Sequence, residues 1–371
     1  MRVLYFTRGY TPHDHRFLAR LAQTGNEIGY LRLEPAEAAD DPHALPDGIT
    51  PLRLEESARR VTWGDYPRLR RRLSAVLDEF APDVVHAGPV QRSALLTAVA
   101  GFSPLVTMSW GSDILRDARG GLGRLAARYT LARTSVFVCD CQAVRKAGIA
   151  LGAPADRVVV FPWGVDLQRF SPGDGSALRR SLGWESAFVL LSARSWERLY
   201  GVDTLLEGFV QAARRDDALR LLMLGGGSLE PHVHARLAET GLADRVHFAG
   251  TLALEELPAC YRAADLYLSA SRSDGSSVSL LEAMACGLPA LVSDIPGNRE
   301  WVAPEKNGWW FRSGDAVSLT EAILAARAAG TGLQKRGKCS RAIAEVRADW
   351  VRNSPRLLEA YQMAIDRGRA R

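Results

Sequence analysis

Residues 269–300 read SASRSDGSSVSLLEAMACGLPALVSDIPGNRE, and this stretch predicts a strand, a polar loop, a helix and a second strand in succession. The loop at 271–277 leads into the apolar run 278–285, which stops at Gly287 and Pro289, as helices commonly do. Because the loop residues are small and rich in hydroxyls, backbone N–H groups at the helix start can approach an anion, which the helix dipole stabilises. The stretch therefore predicts a phosphate site.

Two carboxylates frame this predicted site, Asp274 in the loop and Glu282 on the helix. One can reach beyond a bound phosphate while the other reaches alongside it, an arrangement that suits a nucleotide sugar. Two alternatives remain open from the residues alone. Ser279-x-x-Glu282 also fits a capping box, and Asp274-Gly275 also fits a common turn.

Residues 281–289, LEAMACGLP, resemble the signature of the retaining glycosyltransferases of family 4, in which two acidic residues with seven between them accompany this helix. The chain departs from that pattern where Asp274 replaces the usual Glu, and where Gly275-Ser276-Ser277 replaces Gly-Phe-Gly. The resemblance implies the GT-B fold. This α/β architecture has two Rossmann-like, doubly wound domains facing each other across a cleft, with a C-terminal helix that returns to the N-terminal domain.

Short apolar runs alternate with helix-like segments along the chain, which predicts parallel sheets covered by helices on both faces. A turn-rich crossing near residues 163–175 separates two such series. We therefore expect an acceptor domain at 1–165, a nucleotide-sugar donor domain at 166–349, and a helix at 350–371 that packs back on the first domain. The predicted strands are 3–6, 27–33, 83–86, 105–108, 136–139 and 158–161, then 188–192, 219–224, 246–248, 266–269 and 290–292.

Composition indicates an ordinary globular protein. The 371 residues are 47% hydrophobic and 24% charged, and no apolar run approaches the roughly 20 residues that span a bilayer. We therefore expect a cytoplasmic protein. The five cysteines lack zinc-type or redox spacing, so we expect reduced thiols in the core or at the surface, and we predict no metal site.

The formal charge of +5 raises the question of anionic partners. Arginines gather near the predicted helix 66–80, which could lie peripherally on the inner face of an anionic membrane or receive an anionic acceptor. A solvated helix in an arginine-rich chain is the alternative. Since no aromatic stripe accompanies these positions, we predict no nucleic-acid partner. The arginines are Arg59, Arg60, Arg68, Arg70, Arg71 and Arg72.

The resemblance implies a catalytic cation in the segment that follows the first strand of the second series. Arg194 matches the family's diphosphate-binding arginine, and Tyr200 stands where the family has a lysine. Arg198 is the nearest cation that could replace that lysine, although an arginine fork has a different geometry. With Asp274 and Glu282, these two arginines form the predicted catalytic set.

The resemblance also implies donor-binding residues around the phosphate site. Gly9 follows the first strand, where the family places a glycine-containing loop near the donor phosphates. Gly225 ends a strand where close backbone approach is expected, and Val246 and Phe248 lie in the segment whose backbone meets the base. The predicted donor-binding residues are Gly9, Gly225, Val246, Phe248, Gly275, Ser276, Ser277, Val278 and Glu282.

Acceptor or sugar contacts are expected from the first domain. His13 and His15 lie in the loop after the first strand, and as a metal site this pair lacks further ligands. His86 ends a strand where the family often has His-x-His; a structural role is its alternative. Trp110 occupies the histidine position of a His-Gly-x-Asp segment and could stack on a sugar or simply pack in the interior. Asp113 fits a sugar contact or a helix N-cap.

Together these features predict a retaining, metal-independent hexosyltransferase. It would use no cofactor and would move a sugar from a nucleoside-diphosphate sugar, UDP- or GDP-linked, to a hydroxyl of a glycan, lipid-linked or natural-product acceptor. Two alternatives stay open. The same fold could serve a nucleotide-sugar epimerase, or a catalytically weak partner subunit that binds the sugar nucleotide.

Overall fold

The computed structural model describes residues 1–35, 43–54 and 61–369. They form two compact units, one from Met1–Phe161 with the described part of Ser354–Arg371 and one from Pro162–Asn353. The sequence predicts the corresponding boundaries after residues 165 and 349. The observed boundaries fall after residues 161 and 353, within a few residues of the predicted positions.

The two chain segments near these boundaries, around residues 164–165 and 348–350, pair with each other inside the C-terminal unit. The amide of Val165 donates to the carbonyl of Ala348 at 2.7 Å, and the amide of Trp350 donates to the carbonyl of Val165 at 3.0 Å. Gly164 has a φ of +72°, and a Cβ there would lie 2.8 Å from the carbonyl oxygen of Ala348. The close approach of the two segments therefore requires glycine at this position.

The N-terminal unit contains a sheet of seven parallel strands. The central strands are apolar and buried along their length, as expected where helices cover both faces. The strands are β1 (Arg2–Thr7), β2 (Glu27–Arg32), β3 (Ile49–Pro51), β4 (Val84–Gly88), β5 (Leu105–Met108), β6 (Val136–Cys139) and β7 (Val158–Val160). Their order, β3-β2-β1-β4-β5-β6-β7, reverses direction between β1 and β4.

Within the described ranges six helices connect these strands, and apolar residues of five of them join the sheet in two core clusters. One cluster includes Leu69, Leu73 and Leu77, and the other includes Ala127 and Leu131. Each helix therefore buries one face against the sheet or a neighbouring helix. The helices are α1 (Pro12–Ala22), α2 (Tyr66–Phe80), α3 (Ser93–Ala100), α4 (Ser112–Leu115), α5 (Gly121–Arg133) and α6 (Gln142–Ala150).

The C-terminal unit contains a sheet of six parallel strands. The strands are β8 (Phe188–Ser192), β9 (Leu219–Leu224), β10 (Val246–Gly250), β11 (Leu266–Ser269), β12 (Ala290–Ser293) and β13 (Gly308–Phe311). Their order, β10-β9-β8-β11-β12-β13, reverses between β8 and β11. In open parallel sheets, ligands bind outside the carboxyl ends of the strands at such a reversal.

The helices of this unit cover both faces of the sheet. One cluster gathers side chains such as Phe209 and Leu319, and the other gathers Tyr261 and Met284. The doubly wound α/β prediction is thus confirmed for both units. The helices are α7 (Ser176–Leu182), α8 (Val202–Ala213), α9 (Glu230–Thr240), α10 (Leu257–Ala263), α11 (Val278–Ala285), α12 (Pro296–Arg299), α13 (Ala316–Ala328), α14 (Gly332–Arg347) and α15 (Trp350–Asn353).

The last helix, α16 (Pro355–Arg369), belongs to the N-terminal unit, where it packs on β4, β5 and β6. Its predicted apolar side is buried through Leu357 and Tyr361. The prediction of a single helix from residue 350 onward was wrong, because α15 ends before Ser354 and α16 starts at Pro355. Proline disfavours helical geometry in the residue before it and lacks an amide hydrogen, so the chain breaks there.

Three further features bear on the sequence-based expectations. All five cysteines are free thiols, and Cys139 and Cys141 are both buried. Within the described ranges no helix is both long enough and apolar enough to cross a membrane. Arg59 and Arg60, two of the clustered arginines, lie outside the described residues.

Candidate functional site

Two loops meet at the strand reversal of the C-terminal unit. Residues 193–201 follow β8, and residues 270–277 follow β11, the neighbouring strand. Gly201, with a φ of +63°, lies so close to the second loop that a Cβ would come within 2.1 Å of the carbonyl oxygen of Ala270. The amide of Arg272 donates to the carbonyl of Leu199 at 2.9 Å. The site is thus assembled from the two strand ends that flank the reversal.

Arg194 is the centre of this assembly. Its guanidinium forms an ion pair with Asp274 (Nη2 to Oδ2, 2.8 Å) and donates from Nη1 to Ser277 Oγ at 2.9 Å. The ring of Tyr200 lies 4.1 Å below the guanidinium carbon, within the range of a cation–π contact. The Arg194 Nε is buried and has no hydrogen-bond partner among the described residues. This donor is therefore an exception to the rule that buried polar atoms in proteins are hydrogen-bonded.

Asp274 shares the buried environment of Arg194. Both side chains are 16% exposed, and burial raises the pKa of Asp274, while the neighbouring guanidinium of Arg194 opposes that shift. The amide of Gly275 donates to Asp274 Oδ1 at 3.1 Å. The structure thus places Asp274 as the ion-pair partner of the predicted catalytic arginine.

The start of α11 contacts the Arg194 guanidinium through Ser277. Its N-cap residue, Ser277, makes no side-chain capping bond, and its Oγ instead accepts from Arg194 and lies 3.2 Å from Ser279 Oγ. The amides of the first helical turn are therefore left without a side-chain cap, at the positive end of the helix dipole. Gly275 and Ser276 are buried in the loop that leads to this turn, and Val278 is the first helical residue.

Glu282 lies on the buried face of α11 and accepts a hydrogen bond from Tyr261 Oη at 2.6 Å. The capping-box alternative was wrong, since Ser279 lies inside the helix and Ser277 is the N-cap. The hydroxyl of Ser279 instead contacts Tyr267 Oη at 2.8 Å. Burial, followed by the charge of Glu282, raises the pKa of Tyr261 well above its usual value, so this tyrosine stays a neutral donor.

Residues of α12 and of the segment after it pack against the loop 270–277. A Cβ on Gly297 would lie 2.4 Å from the carbonyl oxygen of Asp274 and 2.5 Å from that of Gly275. Trp301 donates from Nε1 to Ser276 Oγ at 3.0 Å. These contacts place the loop backbone directly against α12. No sequence motif marked Trp301 or Tyr261.

The loop after β9 joins the β8 loop through main-chain and side-chain bonds. The amide of Trp196 donates to the carbonyl of Gly226 at 2.9 Å, and Glu197 accepts from the amide of Ser228 at 2.8 Å. Gly225 has a φ of +76° and donates its amide to the carbonyl of Gly250 at 2.6 Å. Glycine is therefore required at the turn that leaves β9.

An aromatic group stands beside this turn. Phe248 packs on Trp196 (ring centroids 5.2 Å apart) and on His234 (4.4 Å), whereas Val246 is buried in the core. Arg198 lies in the β8 loop, as Arg194 does, but it is exposed and forms no ion pair with any described residue.

The structure thus brings Arg194, Asp274, Ser277 and the start of α11 together. It leaves Arg198 outside that group.

The predicted acceptor residues of the N-terminal unit fall into a half-buried group and a buried group. The half-buried rings of His13 and Trp110 stack at 5.8 Å, and His15 Nδ1 lies 2.7 Å from Tyr10 Oη. The carbonyl of Gly9 accepts from Tyr30 Oη at 3.0 Å. His13, His15 and Trp110 are therefore the partly accessible members of this set.

His86 and Asp113 are buried, and the structure gives both internal roles. His86 has no exposed surface and contacts Tyr361 Oη through Nδ1 at 2.6 Å. Asp113 accepts from Ser109 Oγ at 2.6 Å and from the amide of Val90 at 3.0 Å. The N-cap alternative for Asp113 was wrong, because Gly111 precedes α4. Neither side chain presents its polar atoms to a sugar in this conformation.

The glycine in the family's second histidine position also has a structural reason. A Cβ on Gly88 would lie 2.7 Å from the carbonyl oxygen of Met108 and 3.4 Å from Trp110 Nε1. The backbone of β5 and the Trp110 ring therefore occupy the space that a larger side chain would need.

Models of known protein families match most of the chain. The model described as Glycosyltransferase Family 4 matches residues 10–169, and the one described as Glycosyl transferases group 1 matches residues 176–344. D-inositol 3-phosphate glycosyltransferase 1 of Catenulispora acidiphila is 30% identical over 380 residues, covering 95% of this chain and 90% of that protein. The chain belongs to glycosyltransferase family 4.

Other members of glycosyltransferase family 4 and its fold are also similar. D-inositol 3-phosphate glycosyltransferase of Nocardia farcinica is 32% identical over 223 residues, 58% of this chain, and the match spans about half (49%) of that relative. The crystal structure of Anabaena Alr3699/HepE with UDP-glucose superposes with a TM-score of 0.79 at 21% identity, covering 97% of this chain and 99% of that one. This likeness establishes the GT-B fold.

The structure shows the surroundings of Tyr200, which stands where the family resemblance implies a lysine. The Tyr200 ring packs against the Arg194 guanidinium, which also pairs with Asp274. The sequence marked this substitution, but only the structure shows what the ring contacts. The Tyr200 ring is therefore a direct neighbour of the predicted catalytic arginine.

Proposed function

We propose that this chain is a retaining glycosyltransferase that takes its sugar from a nucleoside-diphosphate sugar. We propose UDP as the nucleotide of that donor. The observation that supports this most is the buried Arg194 at the β8–β11 reversal, beside the uncapped start of α11. A diphosphate would receive a guanidinium and free amides from two directions. The similar Anabaena protein was crystallised with UDP-glucose, which supports a UDP donor.

In the proposed reaction the bond between the sugar C1 and the diphosphate oxygen breaks. An acceptor hydroxyl attacks C1 from the same face, and its proton passes to the departing phosphate. Arg194 and the amides of α11 stabilise the negative charge that develops on the leaving group, which is where preorganised donors act most strongly. Because this cationic charge comes from the protein, we propose that the reaction needs no divalent metal, and that activity persists in a metal chelator.

Two carboxylates have separate roles in this proposal. Glu282 binds the ribose hydroxyls of the nucleotide, and Asp274 fixes Arg194 while its second oxygen meets sugar hydroxyls. Asp274 is shorter than the usual family glutamate, so the sugar would sit closer to the loop backbone. For the acceptor, D-inositol 3-phosphate is the first compound to test, because the similar Catenulispora protein is named for it.

The test is a titration of the protein with UDP, GDP, ADP and TDP. Thermal shift measures the stabilisation by each diphosphate, and calorimetry measures its dissociation constant. We expect UDP to stabilise the protein, and Glu282→Gln to raise the dissociation constant roughly tenfold or more, as loss of a charged hydrogen bond does. Glutamine keeps the size of the side chain and still accepts from Tyr261.

Tyr261→Phe is the matched control, since it removes the partner of Glu282 but leaves the carboxylate. It should change the UDP dissociation constant by less than about threefold, within the modest worth of a neutral hydrogen bond. A protein that binds none of the four diphosphates would refute the proposal. An epimerised sugar nucleotide formed without acceptor would indicate an epimerase, and binding without turnover would indicate a partner subunit.

A second prediction concerns Tyr200, which we propose holds Arg194 in position. Tyr200→Ala removes the ring below the guanidinium and should lower kcat/KM by roughly 3- to 30-fold, the range of a partly buried cation–π contact. Tyr200→Phe keeps the ring and should retain most of the activity. Equal losses in the two variants would show that the hydroxyl, not the ring, is what matters.

A further inference from the structure

Helix α5 presents an unusual surface in the N-terminal unit. Leu122 is 67% exposed, Leu125 is 64% exposed and Tyr129 is 38% exposed. The opposite side of the helix is buried through Ala127 and Leu131. Three of the nine large apolar side chains exposed in the described ranges therefore lie on this one helix.

These apolar residues share one face. At 100° per residue, Leu122, Leu125 and Tyr129 fall within an arc of about 60° on the helix surface. Ala132 lies beside them and is also exposed. The exposed face of α5 is thus a continuous apolar stripe rather than a scatter of single hydrophobic residues, which would need no explanation.

Positive charge flanks this stripe without any acidic residue. The segment 118–139 contains no Asp or Glu, and its cations are Arg119, Arg124, Arg128 and Arg133. All four are exposed, and none forms an ion pair with a described residue. The guanidinium of Arg133 lies 3.7 Å from the Tyr129 ring, at the edge of the stripe. The face therefore combines an apolar stripe with arginines that form no ion pair with a described residue.

Helix α2, whose arginines suggested a membrane contact from sequence, lacks this combination. Its apolar residues Leu69, Leu73 and Leu77 are buried in the core. Its exposed side carries Arg70 and Arg71 without an apolar stripe. The structure therefore moves the candidate surface from α2 to α5.

We propose that the exposed face of α5 docks on an anionic lipid bilayer. An amphipathic helix with leucine and tyrosine on one side and arginines along its borders lies in the membrane interface, where its apolar side is buried and its cations meet lipid phosphates. A second copy of the chain fits less well, because a symmetric contact would bring the same arginines together without an acidic partner. This proposal rests on α5 alone and is independent of the donor site.

The test uses the full chain and sedimentation with vesicles of phosphatidylcholine containing or lacking about one third phosphatidylglycerol. We expect binding to the anionic vesicles and a loss as salt is raised, since exposed charges are screened. Arg124→Gln with Arg128→Gln should weaken binding about 25-fold, because each arginine near an anionic surface contributes about fivefold. Leu122→Gln with Leu125→Gln should weaken it at least tenfold by removing the buried apolar surface.

Arg70→Gln with Arg71→Gln on α2 is the matched control, with the same change of charge but no apolar stripe. It should change vesicle binding less than threefold. Unchanged thermal unfolding and unchanged UDP titration would show that each variant is folded and that its donor site is intact. The proposal is overturned if the wild type ignores anionic vesicles, if the α5 variants bind as the wild type does, or if light scattering shows that they instead abolish a dimer.

Discussion

Replacing Arg194 by glutamine is expected to lower kcat by roughly 10²- to 10³-fold, the usual cost of removing one preorganised donor from a developing oxyanion. Arg194 is the charged group that two loops and the Tyr200 ring hold at the strand reversal. Arg194→Lys should recover only part of the rate. A lysine is a single point charge and cannot contact Asp274, Ser277 and a phosphate in one rigid fork.

Stability measurements separate the catalytic role of Arg194 from its structural one. Arg194→Gln leaves the buried Asp274 without its ion-pair partner, which should cost about 3 kcal/mol of unfolding free energy. Adding Asp274→Asn removes the second charge and should restore most of that stability. The double variant is expected to be folded and inactive. Chemical denaturation and steady-state kinetics on the same preparations measure both effects.

Arg198→Gln is the control for the loss of positive charge in the same loop. Because Arg198 is exposed and pairs with no described residue, we expect less than a tenfold change in kcat and no measurable change in stability. A larger rate loss for Arg198→Gln than for Arg194→Gln would transfer the catalytic role to Arg198 and contradict the assignment.

The elements that build this site follow from local patterns. β8 and β11 are short apolar runs bounded by polar loops, and α11 ends at Ala285, shortly before Gly287 and Pro289, so these elements were predicted nearly to the residue. β3 and β13 were missed. β3 has only three residues, and β13 reads GWWF, with aromatic residues that indicate a strand only once its parallel partner β12 is known.

The partners of the site residues could not be predicted in the same way. Tyr261 and Trp301 reach the site from α10 and from the segment after α12, and no spacing along the sequence connects them to Glu282 or Ser276. The pairing of Arg194 with Asp274 likewise depends on β8 and β11 being neighbours, a result of topology. Pro355, in contrast, is a helix break that can be predicted from the sequence, because proline disfavours helical geometry in the residue before it.

His86 leads to the second large prediction, a loss of stability in acid. Burial lowers the pKa of His86 to about 3, whereas an unfolded histidine titrates near its ordinary value of 6.5. Between these two values the unfolded chain binds a proton that the folded chain does not, so unfolding is favoured as the pH falls. The slope approaches about 1.4 kcal/mol per pH unit below 6.5.

The surroundings of His86 explain why it resists protonation. Its Nδ1 contacts Tyr361 Oη on α16, its Nε2 is buried without a hydrogen-bond partner, and the Tyr5 ring lies 4.4 Å away. A protonated ring would have a second N–H donor that no acceptor could satisfy. Burial also raises the pKa of Tyr361 well above its usual value, so neither tyrosine supplies a counter-charge.

His86→Asn removes this titration while keeping a polar side chain near Tyr361. Wild-type unfolding free energy from urea titrations should fall by about 2 kcal/mol more between pH 7 and pH 5 than that of the variant. His232→Gln on the exposed side of α9 is the control, and it should follow the wild-type curve because His232 is exposed. If His86→Asn loses stability in acid as steeply as the wild type, the titration belongs to another group, and the contact between β4 and α16 does not depend on a neutral His86.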